Sequence, residues 1–386
     1  MTTELDLPPE AEACRERVRA FLAATLGPDG RPPTDWFALL AAAGYTAPHW
    51  PEPWGLSASP AEQLVIDEEL SRAGVRRPEN PIGIGWAGPT LVLAGTQSQQ
   101  EAWLPGMLDG SEIWCQLFSE PGAGSDLASL ATKAVRDGDE WVVDGQKVWT
   151  SLAAQARWGI LLARTDPAAP KHRGISYFVV DMHSPGITTR PIRQMTGSAE
   201  FNEVFLDRVR IPAAHLVGAE GDGWRLARVT LSNERVALSA DGALWGRGPS
   251  AGDLVAAVRA GTAARGGPIG AVARQRLAAL FIESEVLRIL RLRTVAAQVG
   301  RHEPGPEASV RKAMADRHGQ RLFQLALELC GANGMLAREN PDVLPGLFPW
   351  SVGFLFSPAL TIGGGTAEVQ RNIIAERVLG LPRDPV

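Results

Sequence analysis

The hydrophobic period changes twice along this chain, and that change limits the folds open to it. Between Ser111 and His215 apolar residues fall on alternate positions, whereas on either side they recur at the 3.6-residue spacing of amphipathic helices. One element cannot serve both periods, so the order reads α, then β, then α. From Pro8 to about Gly110, "PEAEACRERVRAFLAATL" predicts a helix with Ala13, Val18, Phe21, Leu22 and Leu26 near one stripe, and "SPAEQLVIDEELSRAG" opens on a Ser-Pro cap signal and stops at Gly74. In the middle, Asp137-Gly138 and Asp144-Gly145 both read as turns between the strands of a small antiparallel domain. From Gly223 onward the helical period returns in four long stretches. The predicted architecture is multidomain α+β: an N-terminal helical domain over 1–112, a middle antiparallel β domain over 113–220, and a C-terminal four-helix bundle over 221–386.

Composition removes several classes of function. With 386 residues the chain can bury a large core, and its net charge of -5 supplies no global positive field for nucleic acid or an anionic membrane. Its three cysteines (Cys14, Cys115, Cys330) are far apart without CxxC spacing, and its six histidines form neither HxxxH nor HExxH, so neither a disulfide framework nor a metal centre is expected. The opening residues are polar and acidic where a signal peptide would be basic and then apolar, and no apolar run approaches about 18 residues. A cytoplasmic protein with no membrane contact is expected.

Four short stretches read as candidate motifs, and three of them carry chemistry. Gly83-Ile84-Gly85-Trp86-Ala87-Gly88 satisfies GxGxxG, but "RRPENP" precedes it and Pro89 follows, so it reads as a glycine-rich connection between helices rather than a dinucleotide loop. "QLFSEPGAGSD" runs an apolar strand end into a loop of Ser119, Gly122, Gly124 and Ser125, whose N–H groups and hydroxyls suit a polar ring or a phosphate. "VDGQKVWTS" offers Trp149, Thr150 and Ser151 as an aromatic face with two hydroxyls. "TIGGGTAEVQR" places Gly363, Gly364 and Gly365 before a helix start.

Together with "FNEVFLDRVRIP", "NERVA", "ELCGANGM" and "GTAEVQRNIIAERVLGLP", the last three of these stretches stand in the order and spacing of the acyl-CoA dehydrogenases, and the chain resembles that family from residue 111 to its end. The resemblance implies FAD between the middle and C-terminal domains, oxidation of an acyl-CoA to its trans-2-enoyl form, and an electron-transfer flavoprotein as acceptor. It also implies a homodimer or homotetramer, or a hetero-oligomer with a related subunit. Residue by residue it implies that Phe118 and Ser119 hold the flavin's pyrimidine side, and that Trp149, Thr150 and Ser151 pack and hydrogen-bond near its reactive nitrogen. Gly124 and Ser125 lie among the cofactor contacts, with Ser125 also matching a serine near the pantetheine and phosphate of CoA. Glu328, Gly331 and Gly334 match a stretch that contacts a partner subunit's dinucleotide, although many relatives carry Gln at the first position. Thr366 and Glu368 match positions near the FAD diphosphate.

Two departures from the family pattern matter. The early "RxxFG" element lacks its Phe here, leaving Arg274 as the replacement contact or as a solvated helix arginine. In many relatives the last motif reads Tyr-Glu-Gly-Thr with the Glu as base, whereas Gly363 and Gly364 stand there in this chain. An α-proton beside a thioester is a weak acid and needs a positioned carboxylate, with donors aimed at the carbonyl oxygen. Some relatives carry the base on the first long helix of the C-terminal domain, where this chain has Glu234, so Glu234 is expected as base against the alternative of a solvated, arginine-paired residue. Gly364 N–H is then expected to hold the thioester oxygen and Arg235 to steady the CoA side. The missing side chains predict a bulky, branched or cyclic acyl group. A carrier-protein-linked dehydrogenase or oxidase, and a non-catalytic partner subunit, remain as alternatives.

Overall fold

The computed structural model describes residues 8–238, 244, 248–265, 268–298, 306–332 and 350–383. Two compact units are present, the first taking residues up to Ile192 together with Glu200–Thr230, the second Arg193–Ala199 and the residues from Leu231 on.

The first unit opens with α1 (Pro9–Thr25), α2 (Trp36–Ala42), α3 (Pro60–Arg72), α4 (Gly88–Ala94) and α5 (Gln97–Leu108). α1 buries Ala11, Cys14, Val18 and Leu22. Ala13, expected on that stripe, faces solvent because Cys14 takes the inward position. α3 begins as the Ser-Pro signal predicts, with a reciprocal capping box between Ser59 and Glu62. The GxGxxG stretch is a helical turn over Gly83–Ala87 leading into α4, with no strand before it. Its last glycine answers a packing need, since a Cβ at Gly88 would lie 2.2 Å from the Trp50 ring.

Eight strands follow: β1 (Trp114–Leu117), β2 (Lys133–Asp137), β3 (Glu140–Ser151), β4 (Trp158–Arg164), β5 (Ile175–Asp181), β6 (Ile187–Ile192), β7 (Phe201–Pro212) and β8 (Leu216–Val217). They form one sheet in the order β6-β7-β3-β2-β4-β5-β8, with β1 beside β4. Most pairings are antiparallel, but β1 runs parallel to β4 along its whole length and β2 touches β4 in parallel at Lys133 and Arg164. Alternation of apolar residues marks the buried face of a strand without fixing the direction of its neighbour, which is why this mixed pairing was not legible. Asp137-Gly138 makes the β2–β3 hairpin, with Gly138 at φ 62. Asp144-Gly145, read above as a second turn, instead runs on inside β3, opposite a bulge in β7 where Asp207 and Arg208 together face Asp144 and Arg208 takes φ 49. Gly145 lies against Thr132, where a Cβ would fall 2.3 Å from the hydroxyl, and Asp144 accepts a hydrogen bond from Arg208 N at 3.0 Å.

The helix α6 (Gly223–Leu238) carries the chain from the first unit into the second. There α7 (Ala251–Arg265), α8 (Ala271–Gln298), α9 (Glu307–Cys330), α10 (Trp350–Phe356) and α11 (Ala367–Ile373) follow. Leu254, Leu277, Leu280, Leu322, Phe323 and Trp350 form its core. No helix among the described residues is long and apolar enough to cross a membrane.

Candidate active site

In the first unit the two expected flavin loops are held together by one buried lysine. Phe118, one residue past β1, is 2% exposed and meets Tyr177 edge-on at 5.9 Å. Ser119 then leaves the sheet, its carbonyl accepting from Val148 N at 3.0 Å. Two backbone bonds between Glu120 and Ala123 close the turn, which leaves Gly122, Gly124 and Ser125 exposed. A Cβ at Gly122 or Gly124 would meet no protein atom within 4 Å. Beneath the turn Lys147 is fully buried, and its Nζ donates to Phe118 O at 3.1 Å, Glu120 Oε1 at 2.8 Å and Leu162 O at 2.8 Å. Glu120 accepts in addition from Ala131 N at 2.6 Å and Thr132 N at 3.0 Å. Burial pushes the Lys147 ammonium down to about 8 against the pull of Glu120. Burial alone would raise Glu120, but the Lys147 charge and the hydrogen bonds it accepts outweigh that and hold its carboxyl below the ordinary value.

Two residues beyond Lys147 the β3–β7 ladder breaks, and Trp149 adopts φ 61 with 59% of its surface exposed. A positive φ is uncommon for a tryptophan, and the strain turns a large aromatic face outward. Thr150 is buried; its carbonyl accepts from Asn202 Nδ2 at 3.1 Å, while its Oγ1 has no partner among the described residues. Ser151 is half-buried at the strand end.

In the second unit Glu234 is only 7% exposed, so α6 turns it away from solvent. The side chain of Arg235, and Gly334 altogether, lie outside the described residues. Gly364 and Gly365 adopt φ 65 and 91, and Gln370, itself fully buried, donates through Nε2 to the carbonyls of both, at 3.2 and 3.1 Å. The Gly363 N–H is used by Ala359 O at 2.9 Å, whereas the Gly364 N–H meets no acceptor among the described residues. Upstream, Lys312 Nζ donates to Leu360 O at 3.2 Å and to Asp316 at 2.7 Å, and Gln320 Nε2 to Ser357 O and Thr361 Oγ1. Thr366 spends its hydroxyl capping α11 through Val369 N, and Glu368 is solvent-exposed beside Arg371. Gly331 ends α9 at φ 58. Arg274 is exposed, and it is Arg276, not singled out from the sequence, that pairs with Glu328 and holds its carboxyl below the ordinary range.

Family models for the acyl-CoA dehydrogenase N-terminal, middle and C-terminal domains match residues 8–111, 115–209 and 221–379. The chain belongs to the acyl-CoA dehydrogenase family. Among its relatives, acyl-CoA dehydrogenase FadE34 of Mycobacterium tuberculosis is 49% identical over 345 residues, covering 89% of this chain but 46% of that protein, so the chain spans about half of its length. Acyl-CoA dehydrogenase IpdE1 of the same organism is 44% identical over 90% of this chain and 88% of its own. Among solved structures, the "Tcur3481-Tcur3483 steroid ACAD" (TM-score 0.79, 32% identity) covers 98% of this chain and 99% of that one. The ChsE4-ChsE5 complex from Mycobacterium tuberculosis (TM-score 0.79, 32% identity) covers 99% and 100%.

Acyl-CoA dehydrogenases are flavin-dependent oxidoreductases, and the first unit of this chain fits such a ring. The unpartnered Thr150 Oγ1, the outward Trp149 face and the open space over Gly122 and Gly124 are what a flat, hydrogen-bonding ring system needs. Lys147, Glu120 and Gln370 escaped the sequence reading. The signal for Lys147 was present: on β3 it shares the inward face with Trp141 and Val143, where a charged residue is out of place.

Proposed function

We propose that the chain carries out FAD-dependent α,β-dehydrogenation of an acyl-CoA thioester bearing a branched or ring-containing acyl group, with Glu234 as base. One observation carries this reading. The glycine segment has no carboxylate to offer at 363 and 364, while Glu234 is a buried carboxylate on α6. Glu234 removes the α-proton, and the Gly364 N–H donates to the thioester oxygen as charge develops there. Ser119, Trp149, Thr150 and Ser151 hold and orient the flavin ring, and Ser125 and Arg235 attend the CoA. The flavin, when bound, supplies the acceptor for the β-hydrogen, which leaves as hydride. Support for a ring-bearing acyl group comes from the side chains missing at 363 and 364 and from the likeness to the Tcur3481-Tcur3483 steroid ACAD.

Anaerobic titration with a panel of acyl-CoA thioesters, followed at the flavin absorption band, tests this. Ring-bearing or branched thioesters should bleach the band faster than butyryl- or octanoyl-CoA. Glu234→Gln should keep FAD but slow bleaching about 100- to 10,000-fold. Wild-type bleaching in that variant would remove Glu234 from the chemistry.

The proposal extends to assembly in solution with a second, related subunit, and to an electron-transfer flavoprotein as acceptor. Two similar structures, Tcur3481-Tcur3483 and the ChsE4-ChsE5 complex, pair two differently named chains, and the chain matches about half of a longer relative. On α8, Ile282, Val286 and Ile289 stand exposed at i, i+4 and i+7, an apolar stripe that a partner would cover.

A further inference from the structure

Lys147 presents an energetic problem that packing does not solve. A buried ion pair is often no more stabilising than apolar residues of the same volume, yet this ammonium is fully enclosed and each of its three protons has an acceptor. Directed bonds to backbone are what apolar residues cannot supply. The acceptors mark where they go: Leu162 O lies in β4, Glu120 in the turn, and Phe118 O where the chain has just left β1. The next residue, Val148, fixes Ser119 through its carbonyl, and the one after is Trp149. The turn and the outward-facing tryptophan are therefore tied to each other through residues 147 and 148.

The bond to Phe118 O has a second effect. That carbonyl and the Ser119 N–H are the two ends of one peptide unit, so an ammonium on the oxygen strengthens the N–H as a donor, as successive hydrogen bonds polarise one another. No described residue accepts from the Ser119 N–H.

We propose that Lys147, held in place by Glu120, is a positioning residue for the flavin, setting the Phe118–Ser119 peptide against Trp149 and polarising it toward the ring's pyrimidine edge. The proposal rests on FAD binding at Ser119 and Trp149. A positive charge acting there favours the electron-rich reduced ring, so its loss lowers the midpoint potential of bound FAD as well as its affinity.

The test uses Lys147→Met, similar in length but without charge or donors, and Glu120→Gln, which keeps shape and removes charge. Each is compared with the wild-type chain for melting temperature, FAD affinity by fluorescence titration of the apoprotein, flavin absorption maxima and midpoint potential. Lys147→Met should fold, bind FAD about 10- to 100-fold more weakly, shift the flavin bands and titrate at a lower potential. Glu120→Gln should move the same quantities the same way by less. Wild-type affinity, spectrum and potential in Lys147→Met would overturn the proposal. So would collapse of both variants to unfolded protein, which would make the pair a core element only. Failure of the wild-type chain itself to bind FAD would instead overturn the flavin site, and the proposal with it.

Discussion

At the scale of single residues, the polar side chains beside the glycine segment do what glycine cannot do for itself. Consecutive glycines have the widest backbone freedom of any residues, so an N–H among them points in a fixed direction only if something else holds the chain. Gln370 supplies this by gripping the carbonyls of Gly364 and Gly365. On the proposed role of the Gly364 N–H as donor to the thioester oxygen, Gln370→Met should leave FAD content and melting temperature near wild type while kcat falls about tenfold or more, since such a donor is typically worth more than that; unchanged kcat would show that the segment holds its shape unaided. Asp316 offers a pH test in the same region. Burial raises its carboxyl to about 6 from an ordinary 3.8, with Lys312 pulling the other way. An acid raised in the folded state contributes stability that is fully present below about 3.8 and is lost as pH rises through about 6. Urea unfolding at several pH values should show this slope, up to about 1.4 kcal/mol per pH unit, and Asp316→Asn should remove it from the profile.

At the scale of elements, glycines separate what the sequence reveals from what it hides. In the GxGxxG stretch the flanking prolines already excluded a dinucleotide loop, and Gly88 proves to be a contact with Trp50. Gly88→Ala should therefore destabilise the chain by about 1–3 kcal/mol in thermal or urea melts; a wild-type melt would mean that Trp50 moves aside freely. The helices, the alternation of the strands and the capping box at Ser59 were legible because each is written in local spacing. The unbroken course of β3 through Gly145 was not, because Asp-Gly signals a reversal unless a distant neighbour, here Thr132, occupies the space over the glycine. Arg276 was missed for the same reason, since its partner Glu328 lies 52 residues away along the chain. The candidate site followed this pattern, its loops visible as motifs and Lys147 braced by partners 15 to 29 residues away, while Gln370, although close in sequence to the carbonyls it grips, carries no local pattern that marks it as a brace.

At the scale of the whole molecule, the exposed stripe on α8 bears on assembly. Ile282→Glu combined with Ile289→Glu should lower the mass found by light scattering while leaving far-UV circular dichroism unchanged, because charges on a covered apolar face are costly and on a solvated one nearly neutral. An unchanged mass would place the contact elsewhere. Mixing the chain with a candidate related subunit should raise the mass further, and the double variant should not respond.

The left-handed backbone at Gly364 also limits which residues the position accepts. A side chain restored there would have to adopt φ near 65, at a cost of about 1–3 kcal/mol for any residue but glycine. With Gln370 holding the carbonyls of Gly364 and Gly365, a single substitution to a carboxylate at 364 meets that toll before any catalytic benefit. On the proposed reading, with Glu234 as base, this backbone shape works as a ratchet, since no single substitution at 364 returns a carboxylate to the loop without first distorting it.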